Sequence, residues 1–127
     1  MLYAQTLGLN TWYIGGMTSK DLSQGLDGLQ VVTAVAVGYG ITQGEPHMLK
    51  ATPNDVADLE DAPEWFVDGV NAALYAPTAM NKQDFAITRD GNKVTVICAD
   101  NRWGQQNKGL IMYHFELWAG KENFEWA

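Results

Sequence analysis

The chain has 127 residues, 46% of them hydrophobic and 18% charged, which suits one domain with a modest core and excludes a disordered protein. Its 15 acidic and 8 basic residues give a net charge of -7, which argues against a protein that binds nucleic acid through clustered Lys and Arg. The single cysteine, Cys98, cannot form an internal disulfide, and no apolar run is long enough to cross a bilayer. We therefore expect a soluble, cytoplasmic protein.

The first forty residues predict a helix end, a loop, a short helix and a strand. Residues 1–8, MLYAQTLG, are typical of the last turns of a helix closed by Gly8. Because so short a helix is unstable alone, we expect its beginning to be missing or supplied by a partner. A glycine-bearing loop, LNTWYIGGM, precedes a short helix, TSKDLSQGL, capped by Thr18 or Ser19. The Val-rich run 29–40, LQVVTAVAVGYG, predicts a strand buried on both faces and central in a helix-covered sheet.

The rest of the chain predicts a helix, a β-hairpin and a second helix. Residues 41–62 are loop-like, and Pro63 at a first helical position opens a helix with the apolar stripe Phe66, Val70, Ala73 and Leu74. The segments DFAITR and KVTVICA flank the turn Asp90-Gly91-Asn92 and predict a hairpin. Residues 104–120 predict a helix that is apolar around much of its circumference, followed by a short strand or tail, NFEW.

These elements predict an α+β fold in which a central apolar strand and a β-hairpin pack with about three helices. Cys98 continues the apolar alternation of Val94 and Val96, so we interpret it as an inert core residue. One acidic stretch is interpreted as a solvated face; its members are Glu45, Asp55, Asp58, Glu60, Asp61, Glu64 and Asp68.

The sequence predicts no catalytic side chain and no metal ligand set. His47 and His114 are the only histidines, and no serine lies in a nucleophile-elbow context. His114 lies between apolar residues of a helix, which favours a hydrogen-bonded core histidine. His47 has only Glu45 nearby as a second ligand, too few to hold a metal ion. Neither a phosphate-binding P-loop nor a dinucleotide fingerprint is present, because GYGITQG has the wrong glycine spacing.

Two loops remain as candidate binding segments. NTWYIGGM places aromatic residues beside the flexible backbone of Ile14, Gly15 and Gly16, whose amides can approach and donate to a flat ligand. APTAMN presents the Thr78 hydroxyl and the Asn81 amide after a helix. For each loop taken alone, an ordinary turn is the favoured interpretation.

Together these segments resemble the FMN-dependent nitroreductase family. LGLNTWYIGGM (7–17) is similar to the family's lGLgtcWiGg segment, and VVTAVAVGYG (31–40) is similar to its vpvvavGY strand. PEWFVDGVNAALYAPTAMNKQDFAI (63–87) resembles the helix and APSxxNxQPw loop, with Thr78 for the family's Ser and Asp84-Phe85 for Pro-Trp. NKGLIMYHFELWAG (107–120) resembles the dlGIxxxHFe helix of a subgroup in which the APS-like segment comes late in the chain, as it does here.

The resemblance implies a nitroreductase-like partial domain, completed by dimerisation, that binds FMN. In the family the flavin takes hydride from NAD(P)H and passes electrons to a nitro compound or quinone. By resemblance, Thr78 and Asn81 hydrogen-bond the flavin, the amides of 14–16 face its N5 and O4 edge, and Trp12 lines the substrate side. The implied cofactor-binding residues are Trp12, Ile14, Gly15, Gly16, Gly38, Tyr39, Pro77, Thr78, Ala79 and Asn81.

One family segment has no counterpart. The Arg-rich RRSxRxF opening, which holds the FMN phosphate, is absent, and the chain has only Arg89 and Arg102. The sequence therefore looks like the C-terminal half of a nitroreductase-like protein. The alternatives are a flavin-binding or interaction module without turnover, and a dimeric structural remnant that binds no cofactor. A carbohydrate-binding module is less favoured, because the five tryptophans lie in dissimilar contexts.

Overall fold

The computed structural model describes residues 1–14, 28, 31 and 33–127, and the chain divides into two compact units. The first unit comprises Met1–Pro46 and the second comprises His47–Ala127. The predicted helix TSKDLSQGL and the candidate residues Gly15 and Gly16 lie outside the described residues. Each unit is described by itself below.

The Met1–Pro46 unit contains a short helix and a two-stranded ribbon. Helix α1 spans Leu2–Thr6, and Gly8 follows it as predicted. Strands β1 (Asn10–Ile14) and β2 (Ala34–Gly38) pair antiparallel, so that Trp12 lies opposite Ala36 and Tyr13 opposite Val35. Residues that face each other in such a pair project to the same side of the ribbon.

Two predictions for this unit are wrong. Asn10–Ile14 is a strand rather than a loop, because its β-branched and aromatic side chains find a pairing partner in the Val-rich segment. The second strand forms as predicted but is not buried on both faces, since four of its five residues are exposed. An apolar composition shows that a strand can be buried, but not that it is. Within the described residues β2 pairs with β1 alone, and Val35 and Val37 are exposed.

The His47–Ala127 unit packs helices against a three-stranded sheet. Its helices are α2 (Pro53–Val56), α3 (Glu64–Ala73) and α4 (Arg102–Ala119), and a 3₁₀ turn spans Ala79–Asn81. Its strands are β3 (Phe85–Asp90), β4 (Lys93–Cys98) and β5 (Glu125–Trp126). Strand β4 is central, antiparallel to β3 and parallel to β5, with Ile87 opposite Val96. The predicted hairpin is thereby confirmed, as is the α+β class.

The core of this unit lies between the sheet and helices α3 and α4. Phe66, Val70, Ile87, Val94 and Phe115 are each at most 1% exposed. Phe115 packs so closely on α3 that a β-carbon at Gly69 would lie 2.6 Å from its ring. That contact explains why α3 carries a glycine within its apolar face, although glycine weakens an isolated helix.

The ends of the long helix are set by local hydrogen bonds. Asn101 caps α4 by accepting a hydrogen bond from Gly104 N, and Gly120, with φ 72°, terminates it. A β-carbon at Gly104 would clash with the carbonyl oxygen of Ala99, so this first turn requires glycine. The prediction that helix α3 begins at Pro63 is wrong by one position, since Pro63 is its N-cap.

Two further sequence interpretations are confirmed, and a third, that Cys98 is a core residue, is confirmed in part. The seven acidic residues named above are all exposed. His114 is 9% exposed, and its Nδ1 donates to Leu110 O at 2.9 Å, as expected of a core histidine. Cys98 is partly buried against the core, and this burial raises the pKa of its thiol. Within the described residues, no helix is long and apolar enough to cross a membrane.

Candidate functional site

The loop that joins α3 to β3 has an unusual backbone. Met80, Asn81 and Gln83 have positive φ angles of 53°, 51° and 55°, in a region that residues with a β-carbon seldom adopt. Each such conformation costs free energy, so surrounding contacts must hold it. We call residues 77–83 the amide loop, because the side chains of Asn81 and Gln83 organise it.

Gln83 anchors the amide loop from within the protein. It is only 3% exposed, and its Oε1 accepts from Lys50 N at 2.6 Å and from Ala51 N at 3.1 Å. Its Nε2 donates to Leu74 O at 3.1 Å and lies 3.0 Å from His47 Nε2. One side chain thus joins the 47–51 segment, the end of α3 and the loop, and its buried amide is fully hydrogen-bonded.

The predicted ligand-binding side chains Thr78 and Asn81 are partly occupied by the loop itself. Thr78 Oγ1 accepts from Gln83 N at 3.1 Å, which leaves its hydroxyl proton available. Asn81 Nδ2 donates to Met48 O at 2.9 Å, and its Oδ1 has no hydrogen bond within the described residues. Both residues are half-buried, and Thr78 retains its hydroxyl proton whereas Asn81 retains Oδ1 and its second amide proton.

Asn107 on helix α4 braces the same loop. Asn107 is only 8% exposed, and its Oδ1 accepts a hydrogen bond from Ala79 N at 3.0 Å. Its Nδ2 has no hydrogen-bond partner within the described residues, so the brace leaves a donor beside Ala79. Sequence reasoning missed this residue, because Asn107 lies among the polar residues Gln105, Gln106 and Lys108 in the first turns of α4 and nothing in the sequence distinguishes it from them.

A histidine pair borders the amide loop. His47 contacts Gln83 as described, and His114 lies near enough for His47 to affect its protonation. Burial is the main cause that lowers the pKa of His114, and the neighbouring His47 lowers it further. His114 is therefore a neutral side chain near neutral pH. Among the described residues, no group of three His, Cys, Asp or Glu side chains is placed to hold a metal ion.

The second set of predicted residues lies on the ribbon of the Met1–Pro46 unit. Trp12 is 73% exposed and Tyr39 is 88% exposed, and both line an open groove with Gly38. Asn10 fixes the end of this groove, because its Nδ2 donates to Thr42 O at 2.8 Å and its Oδ1 accepts from Gly40 N at 3.4 Å. The sequence prediction did not include Asn10.

The predicted residues are distributed over both units. Pro77, Thr78, Ala79 and Asn81 share the amide loop, whereas Trp12, Ile14, Gly38 and Tyr39 share the ribbon. Ile14 ends β1, and its carbonyl oxygen accepts from Thr33 Oγ1 at 3.3 Å. That these residues bind a cofactor remains a prediction.

Comparison with known proteins places the chain in a family. A family model described as Putative TM nitroreductase matches residues 1–119. The fold is similar to the crystal structure of a putative nitroreductase from Thermotoga maritima, with a TM-score of 0.72 and 20% sequence identity. That match covers 95% of this chain and 50% of the other, so the chain spans half the length of this relative. No curated protein matches the sequence at a significant level.

Proposed function

Because the chain belongs to the nitroreductase family whose model it matches, we propose that it carries part of the flavin site of an FMN-dependent oxidoreductase. When bound, the flavin supplies the redox chemistry: it accepts hydride from NAD(P)H and passes electrons to a nitro compound or quinone. The residues of this chain bind and orient the ring. No side chain of the chain is assigned an acid or base role.

The observation that carries the proposal is the set of hydrogen-bonding groups left open around the amide loop. Thr78 offers a hydroxyl donor, Asn81 an amide oxygen, and Asn107 an amide nitrogen. The pyrimidine edge of a flavin alternates carbonyl acceptors with an N–H donor, so this mixed set matches its chemistry. The groups are already oriented by internal hydrogen bonds, which lowers the entropy lost when a ligand is bound.

The flavin phosphate has no matching partners in the described arginines. Arg89 donates to Gly91 O at 3.1 Å and lies over the Phe66 ring, and Arg102 lies over the Trp103 ring. A phosphate is best met by paired arginines or a helix N-terminus with further donors. The two arginines therefore do not form a paired phosphate site, and the proposal assigns the residues of the amide loop to the ring.

The residues of the ribbon are assigned to other parts of a flavin. Trp12 is assigned to the substrate side of the ring, the amides of residues 14–16 to its N5 and O4 edge, and Gly38 and Tyr39 to the polar tail. Residues 15 and 16 lie outside the described residues. An exposed indole supplies a large flat surface on which an aromatic ligand can stack. This assignment rests on the family resemblance together with the exposure of these residues.

The experiment is reconstitution with FMN and, in parallel, with riboflavin, which lacks the phosphate. We expect the purified chain to retain yellow flavin after unbound ligand is removed. A charged hydrogen bond contributes about 1.5–3 kcal/mol, at least a tenfold effect on affinity. Since the described residues match the ring, we expect riboflavin to bind within about tenfold of FMN. A colourless protein with both ligands contradicts the proposal; retained flavin without NAD(P)H oxidation identifies a binding module.

We further propose that the chain forms a homodimer. Helix α4 exposes large apolar side chains, with Tyr113 at 55%, Leu117 at 46% and Trp118 at 62%. Exposed apolar surface of this kind favours association. Sedimentation velocity checks the proposal: a dimer is expected at micromolar concentration, Leu117→Glu should weaken it, and a stable monomer would contradict it.

A further inference from the structure

The orientation of the Gln83 side-chain amide can be assigned from its neighbours. Lys50 N and Ala51 N both donate to one end of the amide, at 2.6 Å and 3.1 Å, so that end must be the oxygen. Exchanging oxygen and nitrogen would place an NH₂ group against two N–H donors. The NH₂ group therefore faces Leu74 O and His47 Nε2.

This orientation has a consequence for His47. The two protons of Gln83 Nε2 have two acceptors available, Leu74 O at 3.1 Å and His47 Nε2 at 3.0 Å. His47 Nε2 can accept from Gln83 only when it carries no proton, and the neutral imidazole is then protonated on Nδ1. In the other tautomer, Nε2–H would donate to Leu74 O at 3.1 Å and would oppose the Gln83 NH₂ group. With Nδ1 protonated, His47 Nε2 and Leu74 O both accept hydrogen bonds from the NH₂ group of Gln83, and these two acceptor atoms lie 3.1 Å apart.

We propose that Gln83 is the positioning residue of the amide loop, and that it sets the tautomer of His47. Gln83 itself has a positive φ, and its backbone N–H donates to Thr78 Oγ1, so its placement orients the Thr78 hydroxyl. Its buried side chain offsets the cost of the strained backbone by four polar contacts that tie the loop to two other segments.

The role of Gln83 toward a flavin rests on the proposed function, whereas the tautomer can be measured without any ligand. Nitrogen-15 NMR of the free protein at alkaline pH distinguishes a protonated Nδ1 from a protonated Nε2. We expect His47 to show a protonated Nδ1 and a bare Nε2. A protonated Nε2 in the unmodified chain overturns the proposal, whatever the result with flavin.

Two substitutions separate the acceptor and donor roles of Gln83. Gln83→Glu keeps an oxygen for Lys50 N and Ala51 N but removes the donor to Leu74 O and His47. Gln83→Leu removes both. In each variant Leu74 O is left with His47 as its available donor, so the proton is expected to move to Nε2. Hydrogen exchange of the Lys50 and Ala51 amides should quicken in Gln83→Leu and remain slow in Gln83→Glu.

Flavin binding provides the second readout, with Gln105→Leu as the matched control because Gln105 is exposed on α4. We expect Gln83→Leu to weaken FMN retention at least about tenfold while Gln105→Leu leaves it unchanged. Unaltered FMN binding in a folded Gln83→Leu variant overturns the positioning role. If the unmodified chain binds no FMN but shows the expected tautomer, the proposed function fails and the structural role of Gln83 stands.

Discussion

The two units of the chain place their candidate ligand-binding groups in different ways. In the His47–Ala127 unit, Thr78 and Asn81 extend from a loop whose backbone is held by buried Gln83 and Asn107. In the Met1–Pro46 unit, Trp12 and Tyr39 extend from a two-stranded ribbon and are largely exposed. The His47–Ala127 unit therefore orients polar groups through buried hydrogen bonds, whereas the Met1–Pro46 unit offers exposed aromatic surface.

This difference suggests separate roles in binding: the oriented polar groups of the amide loop select the ligand, and the exposed aromatic residues of the ribbon add contact surface. Oriented donors and acceptors discriminate between ligands, because a mismatched partner leaves a polar group unpaired. Exposed aromatic rings stack on many flat ligands and discriminate weakly. We therefore expect substitutions near the amide loop to change which ligand binds, and substitutions on the ribbon to change how tightly any flat ligand binds.

The largest expected effect contrasts Phe115→Ala with Trp12→Ala. Phe115 on α4 is fully buried against α3, so its truncation should lower the free energy of unfolding by about 3–5 kcal/mol. Trp12 is 73% exposed, so its truncation should change stability by no more than about 0.5 kcal/mol while weakening flavin retention. Urea unfolding measures both, and equal losses of stability would show that the contrast between the units is wrong.

Two glycines of helix α4 provide a matched pair. A β-carbon at Gly104 would clash with the carbonyl oxygen of Ala99, whereas one at Gly109 would meet nothing within 4 Å. Gly104→Ala should destabilise the protein by about 1–3 kcal/mol through overpacking. Gly109→Ala should stabilise it by about 0.5–1 kcal/mol, because alanine favours a helix interior. Thermal unfolding gives the sign of each change, and a destabilising Gly109→Ala would contradict the packing described for α4.

Two substitutions of Asn107 separate its role as the acceptor for Ala79 N from its role as a donor to a ligand. Asn107→Leu leaves Ala79 N without its acceptor and should cost about 1–3 kcal/mol. Asn107→Asp keeps that acceptor and removes the open donor, so it should preserve stability better than Asn107→Leu while lowering flavin affinity. Isothermal titration with FMN tests the second expectation. Full affinity in Asn107→Asp would exclude the amide nitrogen from the site.

The smallest expected effect is the pH dependence contributed by His114. Burial lowers the pKa of His114 in the folded protein below the ordinary 6.5. Below pH 6.5 the unfolded chain therefore binds a proton more readily at His114 than the folded chain does. The contribution of His114 to stability is fully present above pH 6.5. It decreases as the pH falls through 6.5 toward the folded pKa. Urea unfolding at several pH values should show this slope, and His114→Gln should reduce it; an unchanged slope would assign it to another group.

Local patterns predicted most of the second unit. The Asp90-Gly91-Asn92 turn between alternating apolar segments predicted the hairpin, because turn chemistry and period-two alternation act over a few residues. The same holds for α3 and α4, whose apolar spacing matches a helix. The α+β class followed from these elements.

Features that depend on distant contacts were not predicted. The apolar run 29–40 did not reveal that its strand would stay exposed, because burial depends on what else packs there. The roles of Gln83 and Asn107 depend on partners far away in sequence, Lys50 and Ala79 respectively. Gln83 lies within the segment that resembles the APSxxNxQPw loop, but the sequence does not show its role. Its role follows from its 3% exposure and its four polar contacts.

The central claim is that the amide loop presents the Thr78 hydroxyl to a flavin. Its most direct test is an FMN titration of the unmodified chain, Thr78→Ser and Thr78→Val, with exposed Thr88→Val on β3 as the control. We expect Thr78→Ser and Thr88→Val to bind FMN like the unmodified chain. Thr78→Val should bind at least about tenfold more weakly, the effect of losing one oriented hydrogen bond of about 1.4 kcal/mol. Equal binding by all four proteins would contradict the claim.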